Sequence, residues 1–122
     1  MGDPRHLLGL AGEEAAAAWL GRSGWRLLGR RCRADGGGEV DLLAIDRDGI
    51  LVGVEIRARR SGRAGQASET VDARRVARIR RTLAASAAAA GRHRGLRVDL
   101  VTCEPLPNRP GRWRLTRIPG IG

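Results

Sequence analysis

The chain has 122 residues, with 23 basic residues, every one of them Arg, against 13 acidic ones, for a net charge of +10 and a pI near 11.6. One domain over residues 1–122, with one modest core, is expected at this length, and the charge points to a polyanion, most simply nucleic acid. No Phe or Tyr is present and only three Trp, which disfavours single-strand binders that stack bases on aromatic platforms.

Asp3-Pro4 has the residue types of a helix start, an N-cap followed by Pro at the first helical position. A helix is predicted from Pro4 to about Arg22, stopping at Gly24. Leu8, Ala15, Ala16, Trp19 and Leu20 give it an apolar side. Glu13 borders that side and Glu14 competes with it, and either would also suit a solvated helix surface. Trp25 to Cys32 reads as a strand, with Trp25, Leu27 and Leu28 as its apolar content, and residues 33–38 as a loop ending in a Gly36-Gly37-Gly38 run open to a phosphate.

Two strands follow, around Val40–Ile45 and Ile50–Ile56, joined by a turn at Arg47-Asp48-Gly49. A three-residue hairpin loop commonly ends in a left-handed residue, which Gly49 suits. Asp46 then pairs with Ile50, and the register sets Asp41 opposite Glu55, with Cβ atoms ~4.5–5.5 Å apart. Facing carboxylates repel unless a cation lies between them. Alternation adds Glu39 and Arg57 to the same face.

Arg57 to Gln66 reads as a mobile basic loop, with Arg57, Arg59, Arg60 and Arg63. A second helix is predicted from about Thr70 to Ala90, with Val76, Ile79, Leu83 and Ala87 facing the core and Arg74, Arg75, Arg78 and Arg81 outward. That basic face suits a nucleic-acid backbone and equally suits solvent. Leu96 to Thr102 alternates as a strand, Pro105, Pro107 and Pro110 mark a loop, and Trp113 to Ile118 is an edge strand with a loose tail after it. Cys32 and Cys103 stand far apart, as buried thiols of a reducing cytosol rather than a disulfide or zinc pair. His6 and His93 lack neighbouring ligands. No apolar run is long enough to cross a membrane and the N-terminus lacks a signal-peptide core, so a cytoplasmic protein without a membrane partner is expected.

The fold class expected is α/β, a mixed sheet flanked by helices in the order α-β-β-β-α-β-β. Oxygen-only ligands at the acidic face suit Mg²⁺ or Mn²⁺ rather than zinc. Such an ion activates water and neutralises charge at a scissile phosphodiester. An internal salt-bridge network of Glu39, Asp41 and Glu55 with Arg57 or Arg97 would account for the same residues without catalysis.

The sequence resembles the YraN family, uncharacterised bacterial proteins with a restriction-endonuclease-like, PD-(D/E)xK nuclease fold. The resemblance runs through Gly9 to Gly12-Glu13, Ala16, Trp19-Leu20, Gly24-Trp25, Gly38-Glu39-Val40-Asp41-Leu42, Val54-Glu55-Ile56-Arg57, Val71 with Arg75, and Arg97-Val98-Asp99. By analogy with archaeal Holliday-junction resolvases it implies a metal held by Glu13, Asp41 and Glu55, and favours Glu13 over Glu14. It gives Asp41, Glu55 and Arg57 the catalytic positions, and leaves Arg59, Arg60, Arg74, Arg75 and Arg78 for nucleic acid. It implies a Mg²⁺- or Mn²⁺-dependent endonuclease acting on structured DNA, with a homodimer by the same analogy. The alternative is a non-catalytic nucleic-acid-binding protein, because Arg57 stands where the family has lysine and Arg cannot act as a base. Arg75 also replaces a lysine, Gly53 a phenylalanine and Cys32 an asparagine.

Overall fold

A computed structural model describes residues 3–60 and 71–121. Helix α1 is Pro4–Arg22. The Asp3 carboxylate accepts from the Arg5 N–H at 2.9 Å, satisfying one of the orphan donors at the helix start. At the other end Gly24 takes φ 90, and the Trp25 N–H turns back to the Leu20 carbonyl at 3.0 Å. The strands are β1 (Arg26–Cys32), β2 (Val40–Ile45), β3 (Leu51–Ala58), β4 (Leu96–Pro105) and β5 (Trp113–Ile118), with helix α2 (Ala73–Ala87) between β3 and β4. The expected element order is therefore the observed one.

The five strands form one sheet in chain order, with every neighbouring pair antiparallel except β3 and β4. A parallel neighbour needs a long crossover, and α2 lies in that connection. The two helices pack on opposite faces. Ala16, Ala17 and Leu20 of α1 meet Leu42, Val54, Ile56, Val101 and Cys103. Ile79 and Leu83 of α2 meet Leu43, Ile45, Leu51 and Val98. Gly12 brings α1 close to the sheet, since a Cβ there would lie 3.0 Å from that of Ala58. At Gly53 the side chains of Ile79 and Val40 close in, 3.4 Å from where a Cβ would stand, so a glycine in place of a large residue leaves no void there.

Four sequence expectations are corrected. Leu27 and Leu28 are not core residues: β1 is an edge strand with an irregularity between Leu27 and Gly29, and both leucines are exposed. Ala15 borders an outer groove of α1 instead of the sheet, and its place in the core is taken by Ala17. α2 ends at Ala87 rather than Ala90. The tail is tied down, with the Ile121 N–H on the Val98 carbonyl at 2.9 Å and the Gly120 N–H on Asp99 at 3.0 Å. The expectations for Arg63, Gln66 and Thr70 concern residues outside the described ones. Among the described residues no helix is long and apolar enough to cross a membrane.

Candidate active site

The hairpin between β2 and β3 sets the site. Asp46 Oδ1 accepts from the N–H groups of Asp48 at 2.9 Å and Ile50 at 3.0 Å, and Gly49 takes φ 84. The ladder runs Ile45↔Leu51, Ala44↔Val52, Leu43↔Gly53 and Leu42↔Val54. The ladder stops at Leu42↔Val54; its register, carried one step further, points Asp41 toward Glu55, whose charge acts on the Asp41 carboxyl.

There the ladder changes partner. Hydrogen-bonded pairs alternate along an antiparallel ladder. The Asp46 N–H donates to the Ile50 carbonyl, so 42–54 and 40–56 belong to the same series. The Ile56 N–H that is due to Val40 donates instead to Asp41 Oδ2 at 2.8 Å. The Asp41 side chain thus replaces a backbone acceptor, and β2 parts from β3 at this residue.

Glu55 is fully buried on the α2 face. Its Oε1 accepts from Arg57 Nη1 at 2.5 Å and from Arg75 Nη2 at 2.8 Å. Its Oε2 has no hydrogen-bond partner among the described residues. The Asp41 carboxyl is pushed up to about 7. Burial is the main cause and the Glu55 charge the next; the Ile56 N–H opposes them, Glu13 adds to them and Arg75 opposes them. Both features mark negative charge that the surrounding protein only partly compensates.

Glu13 is the less exposed of the two acids, with 23% of its side chain open against 69% for Glu14, which pairs with Arg30 at 2.7 Å. Glu13 itself pairs with Arg31 at 3.0 Å. Arg31 has φ 51, an uncommon conformation for a residue with a side chain. Among the described residues no three His, Cys, Asp or Glu side chains are gathered into a ready metal cage.

Glu39 does not join the strand face. It precedes β2 and turns to Arg33 at 3.0 Å. The expected internal network exists in part: Arg57 does pair with Glu55, but Arg97 serves a separate cluster with Asp46 at 2.9 Å and Asp99 at 2.7 Å. Nor are the Gly37 and Gly38 N–H groups open to a phosphate, since they donate to the carbonyls of Ala34 and Arg78.

Of the arginines expected at nucleic acid, Arg59, Arg60, Arg74 and Arg78 are exposed, while Arg75 is drawn in to Glu55. That inward role was missed. Its signal was the neighbouring Val76, which marks the sheet-facing side of α2. Thr102 was also missed. It lies opposite Arg57 on β4, is buried, and its hydroxyl has no partner among the described residues. A threonine in a buried strand carries no sequence mark that separates it from a packing residue.

Residues 12–103 match the model of the uncharacterised protein family UPF0102. A UPF0102 protein of Symbiobacterium thermophilum is 40% identical over 109 residues, covering 88% of this chain and 91% of its own. One from Pelotomaculum thermopropionicum is 46% identical over 82 residues, 66% of this chain and 65% of its own. One from Anaeromyxobacter dehalogenans is 50% identical over 70 residues, 57% of this chain and 51% of its own. The fold is a five-stranded mixed α/β sheet carrying a buried carboxylate pair. The chain belongs to the UPF0102, or YraN, family.

Proposed function

We propose that this protein is a divalent-cation-dependent nuclease, with DNA as the substrate that the sequence resemblance favours. The observation that carries the proposal is Glu55: fully buried, one oxygen held by two guanidiniums and the other without a partner among the described residues, its charge acting on Asp41. A buried carboxylate oxygen without a donor is costly, and a cation would remove that cost. The donors are all oxygens, which suits Mg²⁺ or Mn²⁺. Asp41 and Glu55 would hold the ion, with Glu13 joining them on release from Arg31. When bound, the ion lowers the pKa of a water and offsets charge on the phosphate.

The chain's own residues do the rest. Arg75 and Arg57 hold Glu55 through Oε1, and Oε2 would be the oxygen offered to the ion. Arg57 stabilises negative charge developing on the phosphorus centre but does not take a proton. Arg59, Arg60, Arg74 and Arg78 supply the cationic surface along which a polyanion lies.

Incubation with branched and linear DNA in Mg²⁺ or Mn²⁺ tests the proposal, with Glu55→Gln as control. Cleavage by the wild type and at least a hundredfold loss in the variant is expected, on the scale of a lost transition-state interaction. Equal rates, or no cleavage by either, end the nuclease reading. A second reading, nucleic-acid binding without catalysis, is favoured by Arg57 and by the two arginines already on Glu55. It predicts chelator-insensitive binding and no cleavage.

A further inference from the structure

Next to Glu55, and connected to it by Arg75, is a cleft of about 330 Å³. Its wall carries Arg33, Arg75, Arg78 and Glu39 together with Gly37 and Gly38. Three guanidiniums against one carboxylate leave an excess of positive charge. Much of the donor capacity is uncommitted. Arg75 gives Nη2 to Glu55, yet its buried Nε–H has no partner among the described residues. Arg78 is exposed at the rim, and its guanidinium makes no hydrogen bond or ion pair among the described residues. Arg33 is bound to Glu39 through Nε and Nη2.

One side of the cleft is held rigidly. Gly37 is pressed against α2 so closely that a Cβ would lie 2.1 Å from Thr82 Oγ1, and at Gly38 it would lie 3.0 Å from the Arg78 Cβ. Thr82 Oγ1 donates to the Gly38 carbonyl at 2.6 Å, the Gly38 N–H donates to the Arg78 carbonyl at 3.0 Å, and Arg81 donates to the Gly36 carbonyl at 2.9 Å. The loop is thus fixed to the helix, and the arginines on both sides hold their spacing.

We infer that this cleft binds a phosphate monoester at the end of a nucleic-acid strand. The inference deepens the nuclease reading and rests on it for the choice of nucleic acid. A monoester carries close to two negative charges at neutral pH and three terminal oxygens, where an internal diester carries one charge and two. It therefore gains more from three guanidiniums, whose planar donors suit phosphate oxygens. No Trp lines the cleft, so the phosphate and not a stacked base is what it recognises.

The test is binding of short single strands of one sequence, carrying a 5′-phosphate, a 3′-phosphate or neither, in EDTA and at constant salt. Fluorescence anisotropy reads the affinity. One phosphorylated end is expected to bind about tenfold tighter than the unphosphorylated strand, the size of one charge-assisted contact. Arg33→Gln is expected to remove the advantage while weak binding to the unphosphorylated strand remains, and Arg78→Gln to remove it on top of weaker binding to all three strands, since Arg78 also belongs to the cationic surface. Both side chains are at the surface, and thermal melting checks that each variant folds. Equal affinity for all three strands, or an advantage that survives in both variants, overturns the inference. So does inorganic phosphate binding as tightly as the phosphorylated strand, which makes the cleft a free-anion site. Because no metal is present, the outcome is separate from cleavage. End preference without cleavage removes the nuclease and keeps the cleft, and cleavage without end preference does the reverse.

Discussion

Thr102 and Asp46 show how differently two polar side chains of one sheet are treated. The Thr102 hydroxyl is buried beside the Glu55–Arg57 pair with no partner among the described residues. Removing an unsatisfied buried hydroxyl while keeping the shape avoids a desolvation cost of about 1–3 kcal/mol. Thr102→Val is expected to raise the unfolding free energy by an amount within that range, read as a higher urea midpoint; a fall would mean that the hydroxyl is engaged in solution. Asp46 is the opposite case. Burial would raise its carboxyl, but the Ile50 N–H, Arg97 and the Asp48 N–H together hold it below the ordinary value. A carboxyl lowered in the folded state contributes stability that is present above its unfolded value near 3.8 and is lost as pH falls through the lower folded value. Asp46→Asn is therefore expected to flatten the acid limb of the stability curve while leaving a smaller difference between the proteins at the lowest pH.

Among the elements, the glycine loop and α1 give opposite expectations for the same substitution. At Gly37 an added methyl meets Thr82 Oγ1 at 2.1 Å and the Thr82 backbone N at 3.1 Å, and the backbone cannot swing away. Gly37→Ala is expected to destabilise by about 2 kcal/mol or more, as overpacking does, and to disturb the cleft. At Gly9, inside α1, nothing lies within 4 Å of the added atom. Gly9→Ala is expected to stabilise by about 1 kcal/mol through helix propensity alone. Denaturant unfolding of both variants checks the pair, and the same sign for both would refute the packing argument. The hairpin is the element that sequence makes most legible. Asp46 and Gly49 are the residue types its turn needs, so register, and with it the meeting of Asp41 and Glu55, follows from local chemistry. β1 was less legible because leucines on an edge strand look like leucines in a core. Glu39 was misplaced because alternation was carried past the first residue of β2, where the chain is no longer pleated.

At the scale of the molecule, net charge and element order were readable because both are sums over many residues. What was not readable is how charges choose partners across the sheet. Asp99 collects Arg97, Arg117 and the Gly120 N–H from three segments of the chain. Arg75 crosses from α2 to Glu55. In a chain whose cations are all Arg, composition cannot separate these from the exposed arginines. If the exposed ones carry polyanion binding, affinity falls steeply with salt. A log–log slope near −0.7 per neutralised phosphate for single strands predicts a slope of about −3 for Arg59, Arg60, Arg74 and Arg78 together. Binding that is indifferent to salt would take nucleic acid away from this surface.

The exchange of partners at Asp41 gives the protein a spectroscopic handle. The amide of Ile56 is bonded to a side-chain oxygen and not to the ladder. Its ¹H–¹⁵N resonance therefore reports what else claims that oxygen. A cation arriving at Asp41 should move the Ile56 signal before any substrate is added, while amides of the regular ladder from Leu51 to Val54 stay in place. Asp41→Asn keeps a carbonyl oxygen for the amide and removes the charge, so in that variant the signal should remain and the response to the cation should vanish.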